Sequence, residues 1–260
     1  KLFHQMMTDK VTPNELTWTT IIDIVCDNND FLTGLRLFHE MKRQGLKPSR
    51  AIFSAMATSA ARNGELMLTT ALIEEMSQLQ QKNMKEFAIL QQERKSLGLP
   101  SHRISSGIEK TMLIDANFLG NIMRSSAESG NASYALKLHS QLLSGQLSGL
   151  QSMHGANYRA AIGLSKTESS SSSLPNAITY NALLEVLADP ASWGRSSLPP
   201  AALRIGLAVY QEALIRKVFP HPYSEVQSTG VVDLRLYSRA ACLFPIHFTL
   251  NSFLGEIPVY

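Results

Sequence analysis

The chain has 260 residues, with 24 Lys and Arg against 21 Asp and Glu for a formal net charge of +3, and 44% hydrophobic residues. So mild an excess of positive charge is compatible with an RNA partner without establishing one, because phosphate affinity depends on where the basic groups sit. The sequence contains no apolar run of about 18 residues that would cross a membrane. The two cysteines, Cys26 and Cys242, stand far apart on apolar segments, and no His/Cys spacing points to a metal site, a disulfide framework or a cofactor.

A period of 35 residues runs through the first third of the chain. Met6, Met41 and Met76 fall on it, as do Leu2, Leu37 and Leu72, then Phe3, Phe38 and Ile73, and the prolines Pro13 and Pro48. Such a period marks a stacked array in which each unit buries its apolar face against its neighbours. Residues 1–14 read as the second helix and tail of an earlier repeat, so the chain is expected to begin inside one, with any targeting peptide outside the sequence. Residues 15–49 form the clearest unit. Trp18, Ile21, Ile22 and Val25 recur at spacings of three and four, and so do Phe31, Leu35, Phe38 and Met41, which predicts two amphipathic helices. Asn28 and Asn29 suit the corner between them, and Gly45 followed by Pro48 stops the second.

Residues 50–76 predict another helical pair, with a corner at Gly64 and the ending Glu74-Glu75-Met76. The second helix then continues over 77–97, rich in Gln, Lys and Glu, with Leu79, Met84, Phe87 and Leu90 as its apolar side. That extension reads either as an exposed amphipathic insertion or as a docking site for a protein partner. Pro100 and the serines of 101–107 predict a loop. A degraded pair spans about 116–143, with corner Gly130 and Ala135-Leu136. The run Ser169 to Ser173 lies in a stretch too polar to fold by burial. A last pair opens at Ile178-Thr179-Tyr180-Asn181 and closes near Tyr210-Gln211-Glu212 and Val218-Phe219-Pro220, with a corner enlarged by residues 189–200.

The unit at 16–49 resembles a pentatricopeptide repeat. Leu16-Thr17-Trp18-Thr19 stands for the family's apolar-Thr-Tyr-Asn start, Phe38-His39-Glu40-Met41 for its Phe-Glu-Glu-Met, and Gly45-Leu46-Lys47-Pro48 for its Gly-apolar-x-Pro close. The tetratricopeptide alternative has a period nearer 34 and a different Trp, Gly and Ala signature. The fold implied is all-α, a right-handed α-solenoid of helix-turn-helix repeats. The function implied is recognition of single-stranded RNA, one nucleotide per repeat, in organelle RNA processing, stability or translation, in a mitochondrion or plastid.

In that family the base is read chiefly by a polar residue early in the first helix and by the last residue of the repeat, while an apolar residue near the helix start packs between bases. Here the resemblance places Thr19, Ser54, Gly120 and Asn181 at the early position, Asn14, Ser49 and His221 at the terminal one, and Leu16, Ala51 and Ile178 at the packing one. The family associates small hydroxyls with purines and Asn with pyrimidines. Lys42, Arg43, Lys47 and Arg50 form the best basic cluster, with no acid between them. They suit either an RNA backbone or the dipole of a helix end.

Towards the end, Gly230-Val231-Val232-Asp233-Leu234-Arg235, then Ser238-Arg239-Ala240-Ala241, resembles the opening of an α/β Smr domain, with Arg235 where that family has His. The organisation read from the sequence is repeats over 1–76, an extended helix and loop over 77–115, a degenerate repeat over 116–150, a Ser-rich linker over 151–177, a repeat with an enlarged corner over 178–221 and the Smr-like segment over 230–260. Three classes follow: a non-enzymatic RNA-binding repeat protein, a helical scaffold for protein partners, and a nuclease only if a complete Smr domain follows. No catalytic triad, paired carboxylates or Gly-rich phosphate loop stands out.

Overall fold

The computed structural model describes residues 2–9, 11–96, 114–144, 175–220 and 234–253. No strand occurs among the described residues, which form ten α-helices and two short 3-10 turns. The chain divides into two compact units, with the division between Asp115 and Ala116. The first holds α1 (Leu2–Thr8), α2 (Glu15–Asp27), α3 (Phe31–Arg43), α4 (Arg50–Arg62) and α5 (Leu66–Ser96). The second holds α6 (Ala116–Glu128), α7 (Ala132–Ser144), α8 (Ala177–Ala188), a 3-10 turn (Pro190–Trp193), α9 (Pro200–Ile215), a second such turn (Leu234–Leu236) and α10 (Leu243–Phe253). Among the described residues no helix is long and apolar enough to cross a membrane.

The helices pair as antiparallel hairpins, and one backbone device makes the corners. Asn29, Gly64 and Gly130 have φ of 58°, 76° and 75°. At each, the corner N–H bonds back to the carbonyl three residues before it, Asn29 to Cys26, Gly64 to Ala61 and Gly130 to Ala127. The next N–H bonds five back, Asp30 to Val25, Glu65 to Ala60 and Asn131 to Ser126. This pair of bonds is the Schellman ending, which needs a left-handed residue at the corner and therefore favours Gly or Asn. Asp30 then caps α3, its carboxylate accepting from Thr33 N at 3.2 Å, so the corner that ends one helix starts the next.

Successive hairpins are joined by an aromatic contact with a fixed register. Phe3 meets Trp18 edge-on at 5.3 Å, Phe38 meets Phe53 at 5.7 Å, and in the second unit His139 meets Tyr180 at 4.9 Å. Each pair links a second helix to the first helix that follows it. Trp18, Phe53 and Tyr180 are fully buried. Edge-to-face rings add about 0.5–1.5 kcal/mol beyond their area burial, so within each unit the pairs fix the stagger between hairpins as well as filling the core. First helices also pack on one another, α2 on α4 and α6 on α8. Cys26 lies in this core with its Sγ 3.6 Å from Met56 Sδ, and burial pushes its thiol up to about 11, so it is an inert packing group.

The enlarged corner is folded. Ser192 Oγ donates to Val186 O at 2.5 Å and Trp193 Nε1 to Leu187 O at 3.3 Å, which ties the 3-10 turn to the end of α8. α5 is continuous from Leu66 to Ser96. The Ser-rich run Ser169 to Ser173 and the strand-like residues 230–233 lie outside the described residues, and the Smr-like opening is not shown; Leu234–Leu236 forms a 3-10 turn.

Candidate nucleic-acid interface

α2, α4 and α8 each present a residue of their first turn to solvent. Leu16 is 73% exposed and Ile178 41%, and Ala51 is exposed too. These apolar residues stand at the same place in α2, α4 and α8 and are not needed by the core, whereas α6 carries the exposed Asn117 there. One residue towards the core from each stands the buried ring of Trp18, Phe53 or Tyr180, two positions on in sequence. The following residue, Thr19, Ser54 or Asn181, is half-buried at the edge of the exposed face.

At Thr19 the structure brings together two residues far apart in sequence. Its Oγ1 donates to Glu15 O at 2.8 Å and lies 3.5 Å from Ser49 Oγ. Ser49 precedes α4 but makes no side-chain cap to it, so its hydroxyl stays beside Thr19. Asn14 and Asn176 precede α2 and α8 in the same way, yet both are engaged as caps. Asn14 Oδ1 accepts from Thr17 N at 2.9 Å. Asn176 Oδ1 accepts from Ile178 N and Thr179 N, and Asn176 N donates to Thr179 Oγ1 at 2.9 Å, a capping box.

Residues 13–62 match the model of the PPR repeat family. That stretch of the chain is similar to PPR repeats. No curated protein matches the chain.

Asp115 holds, before α6, the place that Ser49 holds before α4, and so closes the repeat that contains Ser54. It escapes the 35-residue count because the extended α5 and the residues after it displace it; counting back from the start of α6 recovers it. Arg50 Nη2 donates to Asp115 Oδ2 at 2.5 Å. Thr19, Ser49, Arg50 and Asp115 thus follow one another as a polar line in the first unit. Asn176 is recovered by the same count back from α8.

Gly120 is buried, and a Cβ there would come within 3.3 Å of Ala182 Cβ and 3.2 Å of Arg124 Nη1. Its place is a close crossing of α6 and α8, bridged by an ion pair between Arg124 and Glu185. Of the basic cluster, Lys42 pairs with Glu75 at 2.6 Å and Arg43 with Glu40 at 2.8 Å, both on second helices. Lys47 is exposed. The acids that meet Lys42 and Arg50 lie 33 and 65 residues further along, which is why the local sequence shows none. His221 lies outside the described residues.

Proposed function

We propose that this protein binds single-stranded RNA along the exposed face of its first helices, as a non-enzymatic factor in organelle RNA processing, stability or translation, in a mitochondrion or plastid. The apposition of Thr19 and Ser49 at 3.5 Å carries this reading. A base edge held there meets two hydroxyls that both donate and accept, while Leu16 offers an apolar surface to the base plane. Unpaired RNA suits such a face, because its bases can splay out and show their Watson–Crick edges. Three of the four clustered cations already have carboxylate partners, so base contacts are expected to weigh more than phosphate neutralisation.

The test is binding of the whole chain to a random single-stranded RNA pool at two salt concentrations, with duplex DNA as comparator. Preference for RNA, weakened in a Thr19→Ala/Asn181→Ala variant that still folds, supports the reading. A folded chain that binds no RNA removes it. The second reading is a protein scaffold using α5 beyond Met76, favoured by Ile89 and Leu90, which are 57% and 56% exposed there. Replacing those two by Ser and losing a partner while RNA binding is unchanged would select it.

A further inference from the structure

α5 outlasts the helix it pairs with. α4 is 13 residues long and α5 is 31, so the antiparallel hairpin leaves the far end of α5 reaching past the start of α4. The buried side chains of α5 are Thr69, Leu72, Ile73, Met76 and Gln80, and Gln80 Oε1 accepts from Ile114 N at 3.3 Å. Beyond Gln80 no described side chain of α5 is buried. Residues 81–96 thus extend about 24 Å further, at a rise of 1.5 Å per residue. They stay helical because they continue a helix that the hairpin has already nucleated.

On this extension Glu86, Ile89, Leu90 and Glu93 follow the spacing i, i+3, i+4, i+7, which sets all four on one face of the helix. All four are exposed. In a helix that packs on a core, these positions are apolar. Here the two central ones are apolar and each end is an acid. Glu86 and Glu93 stand about 10.5 Å apart along the axis, with the aliphatic pair between them. Lys82 lies one turn before Glu86, and Lys85 to one side of the face.

That pattern decides what can cover the face. Two copies of this chain that brought their apolar centres together would set Glu86 against Glu93 in an antiparallel pair, and each acid against itself in a parallel one. Like charges opposed across an interface lose affinity, so a second copy is the wrong occupant. RNA is repelled for the same reason. What fits is a helix with apolar residues at its centre and a Lys or Arg about one turn to either side. Each cation then meets an acid, while the aliphatic side chains exclude water between them.

We propose that the face formed by Glu86, Ile89, Leu90 and Glu93 docks an amphipathic helix of another protein, its apolar residues set between two cations. The proposal rests on the scaffold reading of α5, to which it gives a partner chemistry, and it is independent of RNA binding by the first helices. Its test uses the whole chain and two synthetic helical peptides that differ only in charge. Each has a central pair of leucines, flanked by Lys on both sides in one peptide and by Glu in the other. Fluorescence anisotropy measures their binding to wild type, Glu86→Lys/Glu93→Lys and Ile89→Ser/Leu90→Ser. Each variant is first checked for unchanged helicity and thermal unfolding, with Ile89→Ala/Leu90→Ala as the milder substitute.

The expected result is that wild type prefers the Lys peptide by roughly tenfold or more, that Glu86→Lys/Glu93→Lys reverses the preference, and that the Ile89/Leu90 variants bind neither peptide. Equal binding of the two peptides, or a preference that the charge reversal leaves unchanged, would overturn the proposal. Self-association of wild type in sedimentation, abolished in the Ile89/Leu90 variants, would give the face to a second copy instead. If neither peptide binds while those variants still lose a protein partner, the scaffold reading stands and the basic partner falls. RNA affinity, measured on the same proteins, should be unchanged by the Ile89/Leu90 substitutions; a fall there would give the face to RNA, and RNA binding without peptide binding would leave the RNA reading standing alone.

Discussion

Thr19 Oγ1 and Ser49 Oγ lie 3.5 Å apart although 30 residues separate them in sequence. The distance is at the edge of a hydrogen bond, and Thr19 already has a partner in Glu15 O. Removing either hydroxyl should therefore change stability by less than about 0.5 kcal/mol. Affinity for purine-rich RNA should fall by roughly threefold to tenfold, the worth of one hydrogen bond. Thermal melts and fluorescence anisotropy on Thr19→Ala and Ser49→Ala check both. A large loss of stability with unchanged RNA affinity would make the pair structural.

Arg50 and Asp115 form a half-exposed pair, with side chains 32% and 37% accessible. Pairs so open to water contribute about 0–1 kcal/mol, so neither Arg50→Ala nor Asp115→Asn should unfold the first unit. Their effects on RNA should be opposed. Arg50→Ala removes a cation and leaves a bare carboxylate at the end of the repeat, which repels phosphate; the double variant should regain part of the lost affinity. A double-mutant cycle on RNA binding measures the coupling, and simple additivity of the two changes would show that Asp115 is not held by Arg50 for this purpose.

The buried ring pairs make a different prediction. Phe38 is 2% exposed and Phe53 fully buried, so Phe38→Ala should cost about 3–5 kcal/mol through lost transfer energy and a residual cavity. Because the contact joins two hairpins, the loss should spread to α4 as well as α3. Hydrogen exchange resolves this: weakened protection confined to α3 would show that the hairpins are held together elsewhere.

Much of this was legible in the sequence, for reasons visible in particular residues. The apolar periodicity of Trp18 to Val25 and Phe31 to Met41, and the corner residues Asn29, Gly64 and Gly130, specify helices and turns locally, and the structure has them there. Thr19 and Ser49 were named by the resemblance to the repeat family, and their approach to 3.5 Å is what the structure adds. Asp115 was not, because an insertion shifts it out of period. Nor were the ion pairs of Lys42 and Arg50, since their acids come from later repeats. Gly120 was legible as a residue without a reader's side chain, but only the crossing with Ala182 explains its absence.

His139 takes the place in α7 that Phe38 takes in α3, and its edge contact with Tyr180 keeps the ring register. It is buried, and its Nε2 lies 3.8 Å from Glu212. That carboxylate already accepts from Tyr180 Oη at 2.8 Å and Arg216 Nε at 2.9 Å. Burial holds the His139 imidazole below its ordinary value, with Glu212 pulling upward and Arg216 pushing down. A base with a depressed folded value takes up its proton more readily when unfolded. Its contribution to stability is thus complete above the unfolded value of about 6.5, falls as pH drops below it, and is gone once the folded value is passed. The second unit should therefore weaken under mild acid. Urea midpoints followed by Trp193 fluorescence between neutral pH and pH 5 should show this, with Trp18 replaced by Phe to isolate the signal. His139→Phe restores the ring found in the first unit and should flatten the pH dependence while keeping the fold. An equal acid response in wild type and His139→Phe would assign the effect to the carboxylates instead.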